Sequence, residues 1–456
     1  MNNPVERLVF KLARHKNPFI RAVFGLSDEL LARDEEHELR EVITIERKVF
    51  GSLGILRLDC SSVKRAAKLT LASALGKRRL RPWIPGFSKA VANWIGFGPL
   101  LIQFAVARLR HRQVQDHRPG YCFLPAERYR DQAMGILGGN VLARVERTPR
   151  LTVRVLKFLC KAVLAEPKLL FYPEAGTNAL RWLCYYEHVL VHYSPYQIAN
   201  YGEGIASMSL VTEYCRQHGV QTVNLQHGEL VVSRQMAFKH VAVCHFWSQK
   251  YAETYFRCKC TADQAFVSGN SDHRRLAECR ETPRVAQLLV IHHLIANIGP
   301  AYLSGITKFA SILGASHQVV VRRHPLDQGL WAEFLEELTR ALPEHSVRLQ
   351  NPDESPLHPA LIESPFVIGA TSAALLEAWV AGAKVALVPG ASTKESAINP
   401  YSGSRNMLWI DSETSESSVR EFIESPRDDS TEEWSKLDNF SLVTTSDPVP
   451  VRTVSQ

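Results

Sequence analysis

The chain has 456 residues, 45% of them hydrophobic and 22% charged, with a formal net charge of +8. That is length enough for two or three domains and apolar material enough for real cores, as in ordinary globular proteins. Nine cysteines, an odd number scattered from Cys60 to Cys279, argue against a disulfide framework and for reduced thiols in a cytosolic setting.

The first 118 residues read as a mostly helical extension, since the apolar positions of 63–75 recur at helical spacing. Glu6, Lys11, Arg14 and Lys16 interrupt the N-terminal apolar residues, so no secretory signal is evident. Residues 57–118 carry thirteen Lys and Arg against Asp59 and Asp116 only. A basic concentration of that kind favours an anionic partner. Residues 90–107 hold no charge and reach the lower limit of a spanning helix. Gly96, Gly98, Pro99 and basic flanks argue instead for a buried helix pair, or for a segment lying on an anionic membrane beside Trp83 and Trp94. No RNA-binding module pattern accompanies the basic stretch, so nucleic acid is not expected as a partner.

From Gly120 the pattern changes to short β-rich runs alternating with helices. Strands are expected at 168–172, 188–193, 220–225, 241–247 and 265–267, with helices at 203–218 and 248–256, in a domain spanning 119–282. Val223 to Glu229 would carry a strand into a loop at its carboxyl end. There His227 and Glu229 place an imidazole and a carboxylate together, which suits general-base work on a hydroxyl. The run 266–270 ends a strand in Gly269-Asn270, a turn that could contact phosphate through its backbone. Cys258, Cys260, His273 and Cys279 match no common zinc module, and no Asp-x-Asp run appears, so neither a metal nor a bound cofactor is expected.

A linker at 280–284 leads into a second unit, 283–410. Its strands fall at 287–292, 317–322, 347–349, 366–368 and 384–388, and its helices at 300–313, 330–342 and 372–381. Strands alternating with helices predict a parallel sheet. Arg322-Arg323-His324-Pro325 and Gly369-Ala370-Thr371-Ser372 then fall at strand carboxyl ends, where ligands bind in open α/β sheets. Small hydroxyl residues opening a helix offer N–H groups to a phosphate. Arg322 or Arg323 is a candidate for steadying leaving-group charge. His292 and His293 end the first strand, and alternation turns one of them into the fold. Residues 411–456 hold eleven acids against four bases and read as a disordered acidic tail.

In this order, Tyr201-Gly202-Glu203-Gly204, Leu225-Gln226-His227-Gly228, Val267-Ser268-Gly269-Asn270, Arg323-His324-Pro325 and Thr371-Ser372 with Glu377 resemble GT-B-fold transferases of bacterial cell-surface polysaccharide synthesis. These include capsule transferases using CMP-linked acidic sugars and the glycerophosphate transferases of teichoic acid synthesis. The resemblance covers about residues 165–390. It implies two Rossmann-like domains facing a cleft, with Arg323, His324, Pro325, Thr371 and Ser372 holding the donor's nucleotide and phosphate. It further implies Glu377 on a ribose and His227 or Glu229 near the acceptor. The chain departs from the teichoic-acid group at Val290 to Leu294, where a Pro-Thr-Trp/Tyr-Arg run is usual. The expected activity is metal-independent glycosyl transfer from a nucleotide-sugar to a glycan or lipid-linked acceptor, by a cytoplasmic enzyme peripheral to the inner face of the cytoplasmic membrane. Transfer of a CDP-linked polyol phosphate, 2-epimerisation of a nucleotide-sugar and a non-catalytic GT-B-like scaffold are the alternatives.

Overall fold

The computed structural model describes residues 35–51, 62–76, 123–124, 142–143, 151–171, 173–200, 205, 207–226, 230, 232, 234, 236–292, 300–323, 330–352, 355–370, 372–389, 404–427 and 449–450. The described residues divide into two compact units, the first made of 35–271 with 449–450 and the second of 272–427.

The first unit opens with two helices, α1 (Glu35–Phe50) and α2 (Ser62–Gly76). α1 buries Val42, Ile45 and Phe50 at helical spacing. α2 buries most of its small residues, Ala66, Ala67, Ala72 and Ala74 among them, and ties to the unit through Ser62 Oγ, which donates to Glu213 Oε1 at 2.7 Å. These two helices group with this unit. The uncharged run 90–107 lies outside the described residues.

Next come the short parallel pair β1 (Phe123–Leu124) and β2 (Leu142–Ala143), then α3 (Val153–Ala165), capped by Thr152 Oγ1 accepting from Val155 N. Two expected strands are helical. A 3-10 turn occupies Pro167–Phe171, and 188–193 is the end of α4 (Pro173–Tyr193). Pro167 presets a helical φ. In α4, Leu180, Leu183, Cys184 and Glu187 bury one face at spacings of three and four, which a strand could not do. β3 (Gln197–Asn200), α5 (Met208–Gln217), β4 (Gln221–Leu225), β5 (His240–Phe246), α6 (Gln249–Arg257) and β6 (Thr261–Val267) follow. The strands lie side by side in the order β3-β4-β5-β6, all parallel.

The second unit begins with α7 (Ser271–Glu278), then β7 (Gln287–Ile291), α8 (Pro300–Leu313), β8 (Gln318–Arg322), α9 (Leu330–Ala341) and β9 (Val347–Gln350). It continues through α10 (Leu357–Glu363), β10 (Phe366–Gly369), α11 (Ala373–Val380), β11 (Lys384–Leu387), β12 (Met407–Trp409) and α12 (Glu416–Glu424). The sheet is parallel throughout, in the order β12-β11-β10-β7-β8-β9. β7, β10 and β11 are buried along their whole lengths, as strands covered by helices on both faces must be. α12 stands in the acidic stretch expected to be disordered. It sends Val419 and Phe422 into the same core as Leu288, Val321 and Ile368. The chain then returns to the first unit, where β13 (Val449–Pro450) pairs antiparallel with β6.

The fold class is thus α/β, with two Rossmann-like units in tandem. In the second unit the chain moves from β7 outward to β9 on one side, then restarts at β10 on the other. The order reverses between β7 and β10, and the crevice at their carboxyl ends is a topological switch point.

Candidate functional site

At the switch point, Gly369 of β10 pairs with Ile291 of β7, which pairs with Arg322 of β8. The strands approach closely there: a Cβ on Gly369 would stand 2.8 Å from Ile291 O. The chain leaves β10 through Ala370 and enters α11 at Ser372, whose extended backbone (φ −159°, ψ 158°) makes it the N-cap. Its carbonyl accepts from Leu375 N at 3.1 Å. The Ser372 hydroxyl does not cap the helix, and it is buried without a hydrogen-bond partner among the described residues. The first-turn N–H groups of α11 are left without that cap, beside the positive end of the helix dipole.

Glu377 sits one turn further along α11. Its Oε2 lies 3.6 Å from His358 Nε2 on α10, and its side chain keeps 16% of its exposure. Glu377 holds the His358 pKa above its usual value against the effect of burial, Asp272 adds to the rise, and Arg275 opposes it.

The basic residues at the carboxyl end of β8 are engaged. Arg322 donates from Nη1 to Gln350 Oε1 and from Nη2 to Ser355 O, both at 2.8 Å, and burial lowers its pKa. It braces the connection from β9 to α10. Arg323 Nη2 donates to Asn351 Oδ1 at 2.8 Å. His292 turns into the fold, 1% exposed, its ring 4.9 Å from that of Phe334. His293, His324, Pro325 and Thr371 lie outside the described residues.

In the first unit, Gly269 has φ +70° with open space around the Cβ position, so conformation and not crowding favours glycine there. Gly269 and Asn270 form the turn between β6 and α7. His227, Gly228 and Glu229 lie outside the described residues, directly after β4 and Gln226. Gln226 is fully buried, and its Oε1 accepts from Trp247 N at 2.9 Å.

Two histidines had no signal in the sequence. His358 lies in a short helix without a motif. His245 of β5 is hydrogen-bonded through Nδ1 to Ser268 Oγ at 2.6 Å and stacked on Phe266 at 5.3 Å. Burial pushes its pKa down to about 4. Cys258 and Cys260 are buried, and burial drives Cys260 up to about 12. Among the described residues, no three His, Cys, Asp or Glu side chains are grouped to hold a metal ion. Nor is any described helix long and apolar enough to cross a membrane.

No protein-family model and no curated protein matches the sequence. Solved structures similar to it include the UDP-GlcNAc 2-epimerase of Neisseria meningitidis bound to UDP-GlcNAc, at 13% identity over 72% of this chain and 97% of that one, TM-score 0.44. Another is the UDP-GlcNAc 2-epimerase of Methanocaldococcus jannaschii in complex with UDP-GlcNAc and UDP, at 11% identity over 72% and 98%, TM-score 0.42. A glycosyltransferase of Rickettsia africae is similar at 11% identity over 73% and 92%, TM-score 0.37. The fold class stands on the sheet topology itself.

Proposed function

We propose that the protein is a glycosyltransferase of GT-B type that moves a sugar from a nucleotide donor, a CMP-sugar in first place, to a cell-surface glycan or lipid-linked acceptor. The observation that carries this reading is the switch point between β7 and β10, where the N-terminus of α11 and Glu377 lie one helical turn apart. A phosphate accepts from the uncapped N–H groups and from the Ser372 hydroxyl, and the helix dipole favours its charge. The Glu377 carboxylate accepts from ribose hydroxyls. Thr371, Arg323, His324 and Pro325 complete the donor site in this proposal. Glu229 or His227 removes the proton from the acceptor hydroxyl. The transfer runs without a metal at the inner face of the cytoplasmic membrane, so it persists in EDTA.

Thermal unfolding with CMP, CDP, UDP, GDP and ADP tests the donor site. A nucleotide that binds only the folded protein adds about 2.7 kcal/mol at about 100 times its Kd. One nucleotide should raise the midpoint, and Ser372→Ala, Glu377→Gln and His324→Ala should each reduce that rise. A rise unchanged in all three removes the site from α11, and no rise with any nucleotide leaves a scaffold role. Product analysis with the matching nucleotide-sugar then separates transfer from epimerisation.

A further inference from the structure

α3 has two apolar faces, and only one is used. Val155, Phe158 and Ala162 point inward and are buried. The opposite face carries Val153, Leu156, Cys160 and Leu164 at spacings of three and four, so these four share one stripe. Val153 is 66%, Leu156 42% and Leu164 80% exposed, and Cys160 is exposed as well. A single exposed leucine needs no explanation. Here, however, three of the six large exposed hydrophobic side chains among the described residues line one helix.

The charge beside this stripe has one sign. Arg154, Lys157 and Lys161 are exposed, Lys168 is exposed on the following 3-10 turn, and α3 contains no Asp or Glu. Glu166, the nearest acid after it, is buried. Arg154 pairs with the buried Glu187 at 3.0 Å, which leaves the lysines to set the outer charge. With 13 residues, α3 is roughly 20 Å long, the size of a short helix lying in a bilayer interface.

We infer that the outer face of α3 is a docking surface for an anionic lipid bilayer. Leu156 and Leu164 enter the boundary between headgroups and acyl chains while α3 lies in the plane. Lys157 and Lys161 lay their methylene stems along the apolar layer and keep their ammonium groups among the phosphates. Anionic lipid fits this face better than an acidic protein because the exposed apolar residues form a narrow ridge along one helix, flanked by lysines. The inference is independent of the nucleotide site and concerns a segment distinct from the basic stretch at 57–118.

The test is co-sedimentation of the full-length protein with phosphatidylcholine vesicles, with and without phosphatidylglycerol. One variant combines Leu156→Ser with Leu164→Ser, and a second combines Lys157→Glu with Lys161→Glu. All four residues are on the solvent side of α3, so both variants should keep the unfolding midpoint. The unaltered chain should bind only the anionic vesicles and release in salt. Each variant should bind at least tenfold more weakly, because one cationic side chain near such a surface is worth about fivefold. Failure of the unaltered chain to bind overturns the proposal, as does equal binding to neutral vesicles. So does variant binding that matches the unaltered chain, which would move docking to another part of the molecule. Conversion of an oligomer to monomers by the serine variant with vesicle binding unchanged would make the ridge a protein interface instead.

Discussion

Gly269 and Gly369 are both glycines at a strand's carboxyl end, yet different physics requires each. Gly369 needs space, because a Cβ there would meet Ile291 O at 2.8 Å and Ile291 Cβ at 3.3 Å. Gly269 needs only its φ of +70° and has room for a side chain. Overpacking against backbone costs about 1–3 kcal/mol, and a left-handed residue about 1–2 kcal/mol, least for Asn. Gly369→Ala should therefore destabilise by about 1–3 kcal/mol in urea unfolding and also weaken any nucleotide-induced shift. Gly269→Asn should be nearly neutral, while Gly369→Asn should be at least as harmful as the alanine. Equal effects of Asn at the two positions would show that the reading of one glycine is wrong. The stretch from Gly369 to Glu377 was legible in the sequence because its parts are contiguous: a buried apolar strand, small residues, then a helix. His358, which sets the environment of Glu377, comes from a helix 19 residues earlier and meets it only through packing. The commitments of Arg322 and Arg323 to Gln350, Ser355 and Asn351 were hidden for the same reason. A strand-end arginine looks available until the neighbouring strand's side chains are in place.

α12 shows how a short helix in an acidic stretch is held. Lys384, at the start of β11, is almost wholly buried. Its ammonium donates to Phe422 O at 2.5 Å, to Ile423 O and Ser425 Oγ at 3.1 Å, and to Ser425 O. These oxygens form the carboxyl end of α12, where a cation is favoured. The same group lies 5.3 Å from the centre of the Phe422 ring. Lys384→Met fills similar volume but leaves those oxygens without the donor. Hydrogen bonds to charged groups are worth about 1.5–3 kcal/mol each, partly recovered from water, so a loss of about 2–3 kcal/mol should fall on α12. Amide exchange over 416–424 should then quicken at least tenfold, with β10 unchanged; unaltered exchange in α12 would deny Lys384 this role. The helix was missed in the sequence because acidic composition outweighed Ser415, whose Oγ accepts from Ser418 N, and the spacing of Val419 and Phe422. Runs such as 287–291 and 384–387 read correctly, since strands buried on both faces are apolar without a break. β3 has four residues and two polar ends, too little pattern to separate from a loop. The end of α4 passed for a strand because Val189, Val191 and Tyr193 alternate locally, although the longer helical period begins well before them.

Each unit also buries a histidine whose pKa lies far below 6.5, and these shape how the molecule responds to acid. In the first unit burial pushes His245 down to about 4. In the second, burial and then the neighbouring His358 push His273 down to about 3. Unfolded, both regain the usual 6.5. Above 6.5 the folded and unfolded forms of these two are equally neutral, and they leave stability untouched. Below 6.5 the unfolded chain takes up protons that the folded chain refuses, so stability falls by about 1.4 kcal/mol per pH unit for each group. His240 and His317 shift in the same direction, again chiefly through burial. His358 acts oppositely, because its pKa is raised: its contribution is complete below 6.5 and is lost as pH climbs through the raised value. Stability should therefore fall steeply below pH 6.5, and shallowly above it as His358 deprotonates. Burial and then Arg427 lower the Lys384 pKa to about 8, so from about that pH the unfolded chain holds the proton more tightly and stability climbs again. Urea unfolding from pH 5 to 8 follows both limbs before most carboxylates titrate. His245→Gln, whose amide can still bond Ser268, should reduce the acid slope of the first unit by about 1.4 kcal/mol per pH unit, and His273→Gln that of the second. His358→Gln should flatten the alkaline limb and leave the His245 contribution intact. An acid slope unchanged in both His245→Gln and His273→Gln would mean that other groups control it and that these two imidazoles are protonated in the folded chain.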